Sequence, residues 1–298
     1  MSTLSQFTGG NGPGAAITGY TQTSVYQTSQ SIAIPAGTKR IEALLCGGGS
    51  AGGFGGLQVY EIPVVGSTLS FTVGAGTNLP NGYETAVSIN GFRYAVVGQN
   101  YASSGDSGLA PYNTKNLICS VLDTLPRVGT PIGSSVSNGS AVWTAIIGAN
   151  VQGASNAGID ATAGWGGSRG SSSVGVGYPG GVGASGGDAN GDSFGGAGGA
   201  GGGGGFGGGG FGRSYAGGDG GSMTDATIWG LTGFAGGSGT PSFTSTFNGG
   251  GGGGGMLSAG SNGSGITGGN GGNGGGGAGR GFPNGTGGNG FAVFRWYY

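Results

Sequence analysis

The sequence predicts an all-β protein: an antiparallel β-sandwich closed by the C-terminal strand, with an inserted glycine-rich bundle of polyglycine II helices and little or no α-helix. Three observations carry that prediction. The first hundred residues hold short runs of β-branched and aromatic residues that alternate with period two, and no stretch of the chain has a helical apolar stripe of useful length. The 86 glycines of the 298 residues crowd into the second half, in runs such as Gly195 to Gly212 and Gly268 to Gly279. They are followed by Phe291-Ala-Val-Phe-Arg-Trp-Tyr-Tyr298, a strand-like ending rich in aromatic residues. A glycine tract trailing into solvent needs no such ending, so the tract reads as an insertion from which the chain returns to a folded body.

The body is read strand by strand. Ser31-Ile-Ala-Ile34 precedes a Pro35-Ala-Gly37 turn. Arg40-Ile-Glu-Ala-Leu-Leu-Cys46 is apolar over most of its length, as expected of an inner strand. After Gly47 to Gly56, the stretches Leu57-Gln-Val-Tyr-Glu-Ile62 and Thr68-Leu-Ser-Phe-Thr-Val73 alternate, which predicts one buried and one wet face for each. Glu84-Thr-Ala-Val-Ser-Ile89 and Phe92-Arg-Tyr-Ala-Val-Val97 flank Asn90-Gly91, the pair that supplies the two positive φ angles of a two-residue hairpin. Residues 99–180 hold only short candidate strands, Leu117 to Leu122 and Ala141 to Ile147, and read as a β-rich insertion or loops. They separate the sandwich body, 31–98 with 289–298, from the glycine-rich bundle, 181–288. Residues 1–30 are assigned to an attachment arm, with an additional edge strand or an arm packed along the body as the alternative.

Ordering a glycine-rich chain costs roughly 1–2 kcal/mol per residue, and glycine brings no side chain to a core. A hint of period three, in Gly195-Gly-Ala, Gly198-Gly-Ala, Gly268-Gly-Asn and Gly271-Gly-Asn, suggests what compensates. Three residues per turn is the polyproline II helix, whose amides are all free for neighbours. Side by side, such helices bond N–H to C=O between segments and approach as closely as only glycine permits, so the core of the bundle is backbone. Straight segments must reverse where the glycine is broken: Arg213 to Ala216, Ser222 to Phe247 and Met256 to Ile266. Loops on a rigid scaffold are where binding residues are usually placed. The candidate recognition residues are Tyr215, Met223, Asp225, Ile228, Trp229, Phe234, Phe243, Phe247, Met256 and Leu257. The alternative for each is that it caps the bundle or packs on the body.

Composition narrows the function. Lys and Arg number 9 and Asp and Glu 10, for a formal net charge of −1. Scattered cations do not neutralise a run of phosphates, so nucleic acid is not an expected partner. No run approaches the ~20 apolar residues of a membrane span, so membrane insertion is not expected either. Met1-Ser-Thr-Leu-Ser-Gln-Phe7 lacks the basic and apolar regions of a signal peptide. There is no His, and Cys46 and Cys119 are not spaced as metal ligands, so neither a metal nor a cofactor is expected. Without His the commonest general base and the usual Ser and Cys triads are missing. Asp188, Asp192, Asp219 and Asp225 sit in glycine-rich turns, where Asp commonly bonds its own backbone, and no catalytic residue is expected.

Three stretches together carry a resemblance: Ser31-Ile-Ala-Ile-Pro-Ala-Gly-Thr-Lys-Arg-Ile-Glu-Ala-Leu-Leu-Cys-Gly-Gly-Gly49, Leu69-Ser-Phe-Thr-Val-Gly-Ala-Gly76 and Asn289-Gly-Phe-Ala-Val-Phe-Arg-Trp296. The chain resembles the glycine-rich domain of bacteriophage tail-fibre and receptor-binding proteins. More loosely, it is similar to the tip adhesins of T-even-like phages, with stacked polyglycine helices and variable distal loops. Cys46 stands where that family usually carries an aliphatic residue. The resemblance implies a virion protein, made in the host cytoplasm, that contacts other phage tail or capsid proteins. It also implies a bacterial surface receptor, lipopolysaccharide or an outer-membrane protein, held by loops at the end of the bundle. A fibre would be a homotrimer and a tip adhesin a monomer. Two alternatives stand beside this reading. One is an architectural virion component such as a head fibre, decoration or tail collar protein. The other is an ice-binding protein, which needs a regular plane of small residues that bulky loops would spoil.

Overall fold

The computed structural model describes residues 19–49, 55–78, 83–97, 217–241, 248–274 and 285–298, and strand pairing at 117–120, 143–145, 148–150, 209–210 and 213–214. The first eighteen residues, most of 99–180, most of the Gly195 to Gly212 run, and Tyr215, Phe243 and Phe247 lie outside the described residues. Among the described residues there is no helix.

The strands are β1 (Tyr20–Gln22), β2 (Gln30–Ala33), β3 (Arg40–Cys46), β4 (Leu57–Ile62), β5 (Thr68–Thr72), β6 (Thr85–Ile89), β7 (Phe92–Val97) and β8 (Leu117–Ser120). Short ones follow at β9 (Trp143–Ala145), β10 (Gly148–Asn150), β11 (Gly209–Gly210), β12 (Arg213–Ser214), β13 (Thr227–Ile228) and β14 (Leu231–Thr232), before β15 (Phe291–Tyr297). Two antiparallel sheets form, in the orders β1-β15-β3-β4-β8 and β2-β5-β6-β7, and the remaining strands make three two-stranded pairs. The C-terminal strand is interior to the first sheet, running from Phe291 opposite Cys46 to Tyr297 opposite Arg40. On its other side Tyr20–Gln22 pair with Arg295 to Tyr297, so this part of 1–30 is an edge strand. Asn90 and Gly91 hold φ of 52° and 80° between Ile89 and Phe92, the hairpin that the Asn-Gly pair predicts.

One buried cluster joins the two sheets. Ile41, Ala43, Leu45, Ala292, Phe294 and Trp296 of the first meet Leu69, Phe71, Val87 and Ile89 of the second. The Phe71 and Phe294 rings lie 5.1 Å apart and tilted by 53°, in the range where aromatic pairs attract. At one edge the Tyr60 hydroxyl, with one proton to donate, lies against two acceptors, the Val96 carbonyl at 2.6 Å and Gln58 Oε1.

Residues of opposite parity form a second cluster on the other face of the first sheet. Leu44, Cys46, Leu57, Val59, Phe291 and Val293 pack there against Met223, Ala226, Ile228 and Met256 of the glycine-rich region. The wet face expected of Leu57–Ile62 is therefore corrected: only Glu61 of β4 is exposed. Alternation reports how many faces are apolar in sequence, and here Gln58 and Tyr60 are buried as a bonded polar pair.

The glycine-rich stretches 217–223, 233–240, 249–255, 258–264 and 267–274 run side by side and are joined at every third residue. Gly217, Gly220 and Met223 donate to Thr240, Gly237 and Phe234; Phe234, Gly237 and Thr240 donate to Gly255, Gly252 and Gly249; and Gly249, Gly252 and Gly255 donate to Gly265, Ser261 and Ser258, all at 2.7–3.0 Å. Gly251 and Gly254 donate to Gly218 and Gly221, while Gly250 and Gly253 accept from Gly269 and Gly272. The unbroken run Gly249 to Gly255 thus bonds to four neighbours and is buried throughout. A Cβ on Gly252 would overlap the Asn270 carbonyl oxygen, which explains why this stretch carries no side chains. The short glycine clusters of the body join the same array: Gly49 donates to Gly288, Gly287 to Thr77, Gly290 to Gly74 and Gly55 to Gly274, at 2.8–2.9 Å.

Candidate functional site

Hydrogen-bond register fixes which end of each glycine segment faces the sheet. Met223, Phe234, Gly255 and Ser258 are linked at one end, and Gly217, Thr240, Gly249 and Gly265 at the other. The first end is docked on the body: Met223, Ile228 and Met256 are buried in the second cluster, with Trp229, Leu231 and Leu257 packed against it. Burial of such side chains stabilises by about 1.5–3 kcal/mol each, enough to make them anchors.

Trp229 sits at the tip of the β13–β14 hairpin with φ of 52°, followed by Gly230 at 80°. A bulky residue in this region is an outlier that its surroundings must hold. The Trp229 carbonyl accepts from Gln22 Nε2 at 3.0 Å, and its ring lies 4.2 Å from the Arg295 guanidinium carbon. That guanidinium also lies 4.3 Å from the Tyr20 ring, and its Nε donates to Gln22 Oε1 at 2.9 Å. The row continues through Tyr20 and Tyr297, 5.5 Å apart, to Arg40, which lies 4.1 Å over Tyr297. Glu42 closes it, accepting from Arg40 Nη2 at 2.9 Å and from the Tyr297 hydroxyl at 2.6 Å. Burial, followed by the Glu42 carboxylate, pushes the Tyr297 pKa up, against a smaller opposing effect of Arg40. Burial likewise pushes up the Cys46 thiol and the Tyr60 phenol.

The Ser222 to Phe247 break is two features. Residues 224–232 turn at the body end and the 233–240 segment follows, reaching the far end at Thr240; residues 242–247 lie outside the described residues. Met223, Ile228 and Met256 are buried and act in packing, the alternative kept open for each; Trp229 and Leu257 are half-buried; Asp225 and Phe234 are exposed. Tyr215, Phe243 and Phe247 lie outside the described residues.

At the far end, buried Thr240 and Asn248 flank the 241–247 stretch. Beside them Ser264 and Thr267 exchange two backbone hydrogen bonds of 3.0 Å around Gly265, with φ of 59°, and Ile266, which is 46% exposed. Ile266 is absent from the candidate set drawn from sequence. Its signal is its position as the last residue of the Met256 to Ile266 break. Neither Thr240 to Asn248 nor Ser264 to Thr267 contains an Asp, Glu, Lys or Arg. The Ser264 to Thr267 turn offers apolar contact and hydroxyl hydrogen bonds, while exposed Asp219 accepts from the Gly239 amide at the same end. Among the described residues no group of three or more His, Cys, Asp or Glu side chains gathers as a metal site would. Comparison with protein-family models, with curated proteins and with solved structures found no match.

Proposed function

We propose that the chain is a bacteriophage virion protein, a tail-fibre or tip adhesin, whose β-sandwich body carries a polyglycine II bundle that holds a bacterial surface receptor at its far end. The bundle reading is supported by the three-residue spacing of the inter-segment bonds, the step of a helix with three residues per turn. The single observation that carries the functional reading is the asymmetry of the two ends. At one end Met223, Ile228 and Met256 are consumed by packing on the sheet and Phe234 stays exposed, while the far end displays Ile266 on a tight, uncharged turn. Recognition by contact without chemistry fits the Ser264 to Thr267 turn, which carries no acid or base. The test is adsorption of particles carrying Ile266→Asp, with Asp225→Asn at the body end as control. Receptor binding through the far end predicts that Ile266→Asp lowers adsorption roughly tenfold or more, as for loss of one interface anchor, while particles still assemble. Normal adsorption by that variant would remove the far end from the reading.

One observation favours the architectural alternative. Phe92 is 71% exposed, and Val64 and Val65 are exposed on the loop where Asn90 Nδ2 donates to the Val65 carbonyl at 3.1 Å. These residues lie at the end of the sheets opposite the glycine clusters, where an apolar surface suits contact with another virion subunit. Phe92→Ser should then impair incorporation into particles and leave adsorption per assembled particle unchanged.

A further inference from the structure

The glycine segments use two kinds of hydrogen-bond acceptor. In 233–240, Phe234, Gly237 and Thr240 donate to backbone carbonyls of 249–255. Three further amides of the same segment end on side chains: Gly236 on Ser222 Oγ at 3.1 Å, Gly239 on Asp219 Oδ1 at 2.8 Å, and Ser238 on Asn262 Oδ1 at 2.8 Å, while Gly233 donates to the Ala226 carbonyl. The 267–274 stretch repeats the pattern. Gly269, Gly271, Gly272 and Gly274 donate to backbone carbonyls, whereas Asn270 and Asn273 donate to Ser261 Oγ at 2.6 Å and Ser258 Oγ at 3.0 Å. Asp219 and Ser222 are three residues apart, as are Ser258 and Ser261, the same step as the backbone rows.

A repeat of three residues aims its amides in three directions, one for each residue of the repeat. The interior segment 249–255 finds neighbouring backbone for two of these rows, the amides of Gly249, Gly252 and Gly255 and those of Gly251 and Gly254. A segment at the surface has a direction with no neighbour, and a row of unfilled amides there is a template for another chain, as at the edge of a sheet. Ser, Asp and Asn oxygens can fill such a row, since each is an acceptor on a short side chain. Asp219, Ser222 and Asn262 are all exposed, so they stand where the array meets solvent.

We infer that Asp219 and Ser222, which cap the row of Gly236 and Gly239, seal this surface against the glycine-rich segments of a second copy of the chain. The second copy is the fitting occupant because it carries backbone carbonyls at the same three-residue spacing. With the side-chain oxygens removed, the surface becomes a docking site for it. The inference stands on these hydrogen bonds and is independent of receptor binding.

The experiment compares the purified chain with Asp219→Gly/Ser222→Gly and with Asp219→Asn/Ser222→Thr by sedimentation velocity over a range of concentrations. The glycine pair should shift to larger species that dissociate on dilution, with tryptophan emission unchanged. The Asn/Thr pair keeps both oxygens, loses the charge, and should sediment as the parent chain does. A folded glycine pair that sediments like the parent, or an Asn/Thr pair that associates equally, overturns the inference. Should the glycine pair not fold, amide exchange at Gly236 in Ser222→Gly decides: exchange roughly tenfold faster than in the parent supports the seal, and unchanged exchange refutes it.

Discussion

The Trp229 indole lies 4.2 Å from the guanidinium of Arg295, so a hairpin of the glycine-rich region is clipped to the C-terminal strand at a residue with φ of 52°. Arg295 is shared with Tyr20, and the contact therefore joins three parts of the chain that are far apart in sequence. Arg295→Met keeps the length and the apolar stem and removes the cation. The expected cost is about 0.5–2 kcal/mol, read as a lower urea midpoint, with a red shift of tryptophan emission as the Trp229 ring is released. A variant with parental midpoint and emission would show that the stack holds nothing.

Gly252→Ala tests whether the array tolerates any side chain in its middle. The added Cβ overlaps the Asn270 carbonyl, and that carbonyl is backbone already bonded to Ser261, so it has little freedom to withdraw. A loss of about 3 kcal/mol or more is expected by denaturant unfolding. Gly19→Ala meets nothing within 4 Å and should stay within about 0.5 kcal/mol of the parent chain. Equal effects at the two positions would remove close backbone packing as the explanation for the glycine.

Thr85 binds the body to the glycine clusters. Its buried hydroxyl donates to the Cys46 carbonyl at 2.7 Å and accepts from the Gly74 amide at 2.9 Å. Thr85→Val keeps the shape and strands both backbone groups, at a cost of about 1–3 kcal/mol. Thr85→Ser keeps the hydroxyl and should recover most of that loss. If Val and Ser variants unfold at the same denaturant concentration, the hydroxyl is not what matters there.

How much of this was legible in the sequence depended on how local each signal is. Asn90-Gly91 announces its hairpin because both residues favour positive φ, and Arg40–Cys46 and Phe291–Tyr297 announce themselves by apolar and aromatic content. The Trp229-Gly230 turn has the same geometry and was not legible, because Trp is disfavoured there and only distant contacts to Gln22 and Arg295 hold it. Tyr20–Gln22 is three exposed residues, too short for a periodic pattern. The three-residue step was visible in Gly268-Gly-Asn-Gly-Gly-Asn273, and the structure shows bonding at that step. The end of each segment that faces the body was not visible, since a Met beside glycines reads alike whether it anchors or is displayed. Met223 and Met256 are candidates for recognition for that reason, and both are buried against the packing face of β3, β4 and β15.

Tyr297 makes stability depend on alkaline pH. Its hydroxyl is held by Glu42, and burial and that carboxylate raise its pKa in the folded chain. The unfolded phenol ionises near pH 10, so on raising the pH the unfolded chain releases this proton first. The stability contributed by Tyr297 is therefore whole below about pH 10 and is lost as the pH rises through the folded-state pKa. Tyr297→Phe lacks the ionisation and also lacks the bond to Glu42, so it starts less stable. Urea midpoints at about pH 8 and about pH 11 should show the gap between parent and variant narrowing with pH. Tyr60, also raised by burial, contributes its own alkaline loss equally to both chains. A constant gap would mean that Tyr297 titrates alike in the folded and unfolded chain, and a widening gap that folding lowers its pKa; either overturns the prediction.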